Sequence, residues 1–126
     1  MNDKWRFRGF DSIGNKGWVY GDLVHNQKVT KDGLEPRVMV GGYEVVPESV
    51  GLWTGLKDKK GKEIFEGDWV LLEGVGVFNV RYSTSMCQFG LYGERGFVDA
   101  LKELQADRYE IVGNIMSGHK NEKENG

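Results

Sequence analysis

Cysteine occurs once in this chain, at Cys87, and histidine twice, at His25 and His119. A single thiol closes no internal disulfide, and that usage suits a reducing cytoplasm. Proline occurs only twice and no low-complexity run is present. No apolar run approaches the ~20 residues of a membrane helix. Met1-Asn2-Asp3-Lys4-Trp5-Arg6 holds no apolar segment of signal-peptide length. An excess of one charge is also missing. Lys plus Arg is 17 and Asp plus Glu is 19, a net charge of −2. Non-specific nucleic-acid binding needs uncompensated cations, so this balance argues against it as the main activity.

The usual catalytic constellations are missing too. A Cys-His dyad would need Cys87 beside His25 or His119. Cys87 stands among apolar strand residues and reads as a small core hydrophobe. Two histidines and one cysteine give no recognised metal spacing. Glu63, Glu66 and Asp68 cluster in sequence, but a solvated hairpin flank and a corner-capping Asp account for them. No glycine run carries the Gly-Lys-Ser/Thr ending of a phosphate loop. The chain is therefore expected to be no enzyme and to hold no metal or cofactor.

Glycine is abundant: 19 of 126 residues, about twice the usual share of ~7%. Spread along the chain, it implies many turns and short strands. The most patterned stretch runs from Val50 to Val70. Leu52, Trp53 and Leu56 precede a charged turn, Asp58-Lys59-Lys60-Gly61, and Ile64 and Phe65 follow it. Asp opens and Gly closes a type I turn, which predicts a β-hairpin with a solvated tip bearing Lys57, Lys59, Lys60 and Lys62. Glu66-Gly67-Asp68 then bends the chain into a strand over Trp69-Val70-Leu71-Leu72.

Gly51-x-Trp53-Thr54-Gly55-Leu56-Lys57-Asp58-Lys59-Lys60-Gly61-Lys62-Glu63-Ile64-Phe65-Glu66-Gly67, followed by Asp68, resembles the signature block of the YopX family of phage and prophage proteins. Residues 5–11, residues 46–51 and residues 109–115 fit the same pattern. Trp53 departs from it, since the family commonly has Phe or Tyr there. The resemblance implies a phage or prophage origin in a Gram-positive host and a β-rich fold. It carries no established activity and no catalytic residues.

Elsewhere, Trp5-Arg6-Phe7-Arg8 alternates apolar and basic residues, a strand with Trp5 and Phe7 inward. Trp18 to Val24 reads as its hairpin partner, with His25 to Lys28 as an extension. Arg37 to Val40 is a short strand that turns at Gly41-Gly42 into residues 43–46. Val77 to Tyr82 and Met86 to Tyr92 are strands, the second with Cys87, Phe89 and Leu91 on one side. Phe97, Leu101 and Leu104 fall at i, i+4, i+7 and predict a short helix over 97–105. Residues 109–116 form the last strand.

These elements predict a mainly β (β-rich α+β) fold. An N-terminal β-meander lobe over residues 1–48 packs on a central hairpin plus an SH3-like small barrel over 49–117. A disordered tail covers 118–126. Many strand edges and the large rings Trp5, Trp18 and Trp53 point to a homo-oligomer.

The function these features favour is a non-enzymatic phage or prophage accessory protein, a β-rich binding or assembly module in the host cytoplasm. It would meet a phage or host protein through Lys59, Lys60, Glu66 and Asp68, on a base of Trp53, Phe65, Gly67 and Trp69. The alternative is a nucleic-acid-binding small barrel that uses Lys57, Lys59, Lys60 and Lys62 beside aromatic rings.

Overall fold

A computed structural model describes residues 6–14 and 16–119 of the chain. The expectations for Trp5 and for residues 120–126 of the tail lie outside the described residues; Gly118 and His119, expected to be disordered with that tail, instead pair with Asn114 and Gly113. The chain divides into two compact units, Met1–Trp53 and Thr54–Gly126. The fold is mainly β, with antiparallel pairing throughout the described strands.

In the first unit, β1 (Phe7–Phe10) pairs with β2 (Trp18–Gly21). A longer ribbon follows, β3 (Leu23–Thr30) with β4 (Gly33–Val40), and β5 (Tyr43–Glu44) pairs with the end of β4. A 3-10 turn over Pro47–Ser49 leads into β6 (Gly51–Lys57), whose Gly51 and Leu52 pair with β1. The core is Val19, Val40 and Val45, with Phe7, Leu23, Val38 and Val50 packed on it. Fully burying one such valine is worth ~1.5–3 kcal/mol. Ser49 is fully buried. Its Oγ accepts the Phe10 N–H at 2.8 Å and donates to the Val46 carbonyl at 2.6 Å.

Two expectations change here. Residues 18–28 are not one continuous strand, because the chain breaks between β2 and β3 at Asp22 and β3 pairs with a different partner. The short strand over 37–40 is an eight-residue strand that includes Pro36. Proline fits there because β5 pairs only with Met39 and Val40, so β4 has a ladder partner on one side alone at Pro36. In addition, Arg8 does not face water as the alternation predicted. It is 6% exposed, with its guanidinium 4.2 Å from the centre of the Trp18 ring. A cation held over an indole face tolerates burial that a bare charge would not.

In the second unit, β7 (Glu63–Phe65) returns from β6, and β8 (Trp69–Leu72), β9 (Gly76–Ser83), β10 (Gln88–Gly93) and β11 (Gly96–Ala100) form a meander. A 3-10 turn over Glu103–Arg108 leads to β12 (Tyr109–Asn114), and β13 (Gly118–His119) closes the described chain. The sheet order is β11-β10-β9-β8-β12-β13. Ile64, Val70, Leu72, Val80, Leu91 and Tyr109 make the core.

The helix predicted over 97–105 does not form. The turn after Gly93 sends Phe97 back along β10 as part of β11, and only residues 103–108 take a 3-10 turn. Leu104 is 95% exposed, so the helical spacing had no core to serve. Phe97 instead lies over Gly90, where a Cβ would collide with its ring. Cys87 also differs from expectation. It is exposed, in the turn before β10, with φ 54. A left-handed backbone there removes it from the strand face it was expected to share with Phe89 and Leu91.

Candidate functional site

Two surfaces contain the residues that chemistry or exposure singles out, one in each unit. In the first unit it is the ribbon of β3 and β4. All eight residues of each strand pair, from Leu23↔Val40 to Thr30↔Gly33. Beyond its base the ribbon has little cover: Val29 is 83% and Leu34 63% exposed, and these two stand directly opposite each other. On the other face, Lys28 bonds Glu44 at 2.9 Å and the Arg37 Nε donates to the Asn26 Oδ1 at 2.8 Å.

In the second unit the surface is the charged turn between β6 and β7. Asp58 organises it. Its N–H donates to the Lys62 carbonyl at 2.7 Å, and the Gly61 N–H donates to the Asp58 carbonyl at 2.9 Å, which closes the turn. The Asp58 Oδ1 accepts the N–H groups of Lys60 and Lys62, both at 2.9 Å. Its Oδ2 accepts the Ile111 N–H at 3.0 Å, and the Lys59 N–H donates to the Tyr109 carbonyl at 2.9 Å. The tip is thus lashed to β12 and is not a free loop. Asp58 itself is only 6% exposed.

The four lysines separate into two kinds. Lys59 bonds Glu73 at 2.6 Å and approaches Glu110 at 3.4 Å, and Lys60 bonds Glu110 at 2.9 Å. The Glu73 hydrogen bond holds the Lys59 ammonium above its ordinary value despite partial desolvation. The Lys60 hydrogen bond, with help from Lys59, holds the Glu110 carboxyl below its own. Lys57 and Lys62 are exposed, and among the described residues no carboxylate lies within 4.0 Å of either. With Asp58, Glu73 and Glu110, three carboxylates share the site with the four lysines and offset most of its positive field.

The adjoining corner is mostly interior. Asp68 is 1% exposed, and its Oδ2 accepts the Phe65 N–H at 2.9 Å. The Asn79 Nδ2 donates to the Gly67 and Asp68 carbonyls at 3.1 and 3.2 Å. Gly67 has φ 98, a conformation L side chains rarely adopt, and a Cβ there would meet the Ile115 Cβ at 3.2 Å. Glu66 accepts the Tyr82 N–H at 3.1 Å. Phe65 is 2% exposed, while Trp53 and Trp69 are half-buried, with the Arg6 guanidinium 5.1 Å from the Trp53 ring centre. Asp68 thus serves the corner from inside, and Glu66 faces outward already bonded to backbone.

A family model described as YopX protein matches residues 6–120. The chain belongs to the YopX family. No curated protein matches it. In this YopX chain the matched region takes in both surfaces just described, the ribbon and the charged turn.

Sequence reasoning missed three participants. Asn79 was not singled out, yet it is 6% exposed and its amide serves the Gly67-Asp68 corner. It stands 11 positions from Asp68, so no local pattern marked it. Glu73 and Glu110 neutralise the turn lysines from β-strand ends far along the chain, with no local pattern to reveal them. A groove of about 370 Å³ in the first unit was missed as well, lined by Ile13, Lys16, Arg37, Met39 and Tyr43 among others. Beside it, Asp11 orders its loop by accepting the N–H groups of Ile13, Gly14 and Lys16. Those bonds, Ile13 first, hold the Asp11 carboxyl below its ordinary value. Among the described residues no group of three His, Cys, Asp or Glu is placed to hold a metal ion. No helix of the described residues is long and apolar enough to cross a membrane.

Proposed function

We propose that this chain is a non-enzymatic accessory protein of a phage or prophage, acting in the host cytoplasm as a β-rich binding and assembly module. The observation that carries this reading is the β3–β4 ribbon. A two-stranded ribbon is at best marginally stable alone in water, yet this one keeps Val29 and Leu34 exposed at 83% and 63%. Large apolar side chains on a projecting element are spent on contact with something outside the chain's own core. The contact element moves accordingly from the charged turn, where Lys59 and Lys60 already have carboxylates, to the ribbon.

The second unit fits a scaffolding role. Its order β11-β10-β9-β8-β12, with a 3-10 turn before β12, supports the reading of an SH3-like small barrel. Such a barrel presents surfaces without dictating chemistry. The competing reading, a nucleic-acid-binding barrel, draws support from the exposed Lys57 and Lys62. Glu73 and Glu110 oppose it, because acids at the same site repel phosphates.

The test is the native size of the protein. A tagged copy expressed in a cell carrying the prophage should migrate in an assembly larger than its own 14.3 kDa. Migration at its own mass, at every stage of induction, would remove the assembly reading.

A further inference from the structure

The groove of the first unit, about 370 Å³, is held in shape by the chain's own bonds. One side is the loop after β1. The Asp11 carboxylate fixes that loop by accepting the Ile13, Gly14 and Lys16 N–H groups at 3.1, 3.2 and 3.3 Å. The other side is the end of β4 with β5. Ser12 ties the two sides together, because its N–H and its Oγ both donate to the Glu44 carbonyl, at 3.1 and 3.2 Å. Between them the lining is mostly apolar, from Ile13, Met39 and the Tyr43 ring. Four charged residues also line it, and they are unequally committed. Both Asp11 oxygens are taken by backbone N–H groups, and Glu44 is paired with Lys28 at 2.9 Å. The two cations have no carboxylate. Lys16 makes no ion pair among the described residues, and its Nζ stands 5.7 Å from the Tyr43 ring centre. Arg37 spends its Nε on Asn26 and keeps the four N–H donors at the end of its fork.

The geometry points to a small-molecule site for a nucleoside monophosphate, its phosphate held by Lys16 and Arg37 and its base against Ile13, Met39 and Tyr43. The site is independent of the assembly reading above, since its ligand needs no second protein. Size, charge and lining select the occupant. The volume falls at the lower end of the about 300–1,000 Å³ of small-molecule sites. An arginine fork alone satisfies a carboxylate. A fork together with an ammonium suits a phosphate monoester, which near neutral pH carries about −1.5 to −2 charge on three acceptor oxygens. A flat heterocycle fits a lining of two aliphatic side chains and one phenol ring, because stacking needs no polar reader. An extended peptide is a poorer occupant, since it binds through free backbone groups. Here the loop N–H groups of Ile13, Gly14 and Lys16 and the Glu44 carbonyl are already spent. Because the loop is ordered by Asp11, little is lost in ordering it around a ligand.

Isothermal titration calorimetry on the full chain tests this with adenosine 5′-monophosphate, adenosine, inorganic phosphate and indole-3-acetate. The nucleotide should bind with a Kd between about 10 µM and about 1 mM, as an open groove of this size allows. Adenosine and phosphate each offer one half of it and should bind at least ~10-fold more weakly. Lys16→Gln and Arg37→Gln should each weaken the nucleotide about 10-fold, and Tyr43→Ala several-fold. Lys57→Gln/Lys62→Gln, in the other unit, should leave its affinity unchanged. Thermal unfolding checks that each variant is folded. Should one of them not fold, the four ligands on the wild type still decide, because that comparison needs no substitution. No binding of the nucleotide up to about 5 mM overturns the proposal. So does an affinity that Lys16→Gln, Arg37→Gln and Tyr43→Ala leave intact, or one that Lys57→Gln/Lys62→Gln removes. Phosphate or indole-3-acetate binding as tightly as the nucleotide also overturns it, since the ring and the phosphate would then not be read together. A 5′-phosphorylated oligonucleotide that binds more tightly than the mononucleotide would make the occupant a nucleic acid and overturn the small-molecule site.

Discussion

Asp58 and Ile111 stand 53 positions apart, and the Asp58 Oδ2 accepts the Ile111 backbone N–H at 3.0 Å. The other oxygen of the same carboxylate accepts two N–H groups of its own turn. One side chain thus closes the β6–β7 turn and ties it to β12. A segment whose composition suggests a solvated tip becomes a fixed part of the second unit.

Asp58→Ala should therefore destabilise the protein by about 3 kcal/mol, since it strands backbone donors at a site that is largely buried. Asp58→Asn, which keeps one acceptor oxygen, should cost less. Urea denaturation monitored by tryptophan fluorescence measures both. A change in Asp58→Ala within the ~0.5 kcal/mol of an ordinary surface substitution would mean that the turn is not anchored.

The acid limb of stability should carry the signature of Glu110 and Asp11. The Lys60 hydrogen bond holds Glu110 below its ordinary 4.5, and the backbone N–H of Ile13 leads those that hold Asp11 below 3.8. Both groups have folded values lower than unfolded ones. Their contribution is complete above those unfolded values and is lost as pH falls through the folded ones. Lys59 has the opposite sign: its value is raised above 10.5, chiefly by the Glu73 hydrogen bond, so its contribution is present below 10.5 and lost as pH rises through the raised value. Solvent screening keeps all three effects small. Melting temperatures from about pH 3 to about pH 11 should show a shallower acid limb in Glu110→Gln than in the wild type. Superimposable curves would count against the Lys60–Glu110 pair.

Nucleic-acid binding by the charged turn should be weak and should rest on Lys57 and Lys62. Fluorescence anisotropy with a single-stranded oligonucleotide at low salt should register little for the wild type. Glu73→Gln/Glu110→Gln should raise affinity several-fold by freeing Lys59 and Lys60, with a steeper salt dependence. Tight wild-type binding that collapses with salt and with Lys59→Ala/Lys60→Ala would restore the nucleic-acid reading.

Gly90 and Phe97 should behave as a coupled pair. A methyl at residue 90 would occupy the space of the Phe97 ring, which also meets Tyr92 edge-on at 5.6 Å. Gly90→Ala should cost about 1–2 kcal/mol as the ring is displaced. In a Phe97→Ala background the same substitution should cost markedly less, because nothing remains to collide with. Equal costs in both backgrounds would refute the contact.

Local chemistry by itself determined much of this protein. Glycine spacing and alternating apolar residues specified short antiparallel strands, because a period of two and a turn residue act over a few positions. The Asp58-to-Gly61 turn and the Gly67-Asp68 corner were legible for the same reason, as were the YopX blocks. What the chain order conceals, only the tertiary structure decided. Phe97 joined a strand and not a helix because Gly90, on a neighbouring strand, offered its ring a seat. Arg8 went inside because the Trp18 ring, diagonal to it on the neighbouring strand, lay under its guanidinium. Lys59 and Lys60 gained carboxylate partners because Glu73 and Glu110, distant in sequence, arrived beside them. The outer face of the β3–β4 ribbon stood out only once register placed Val29 opposite Leu34. Such outcomes depend on which strands pair and in what register, and a one-residue slip in that pairing would reverse every face.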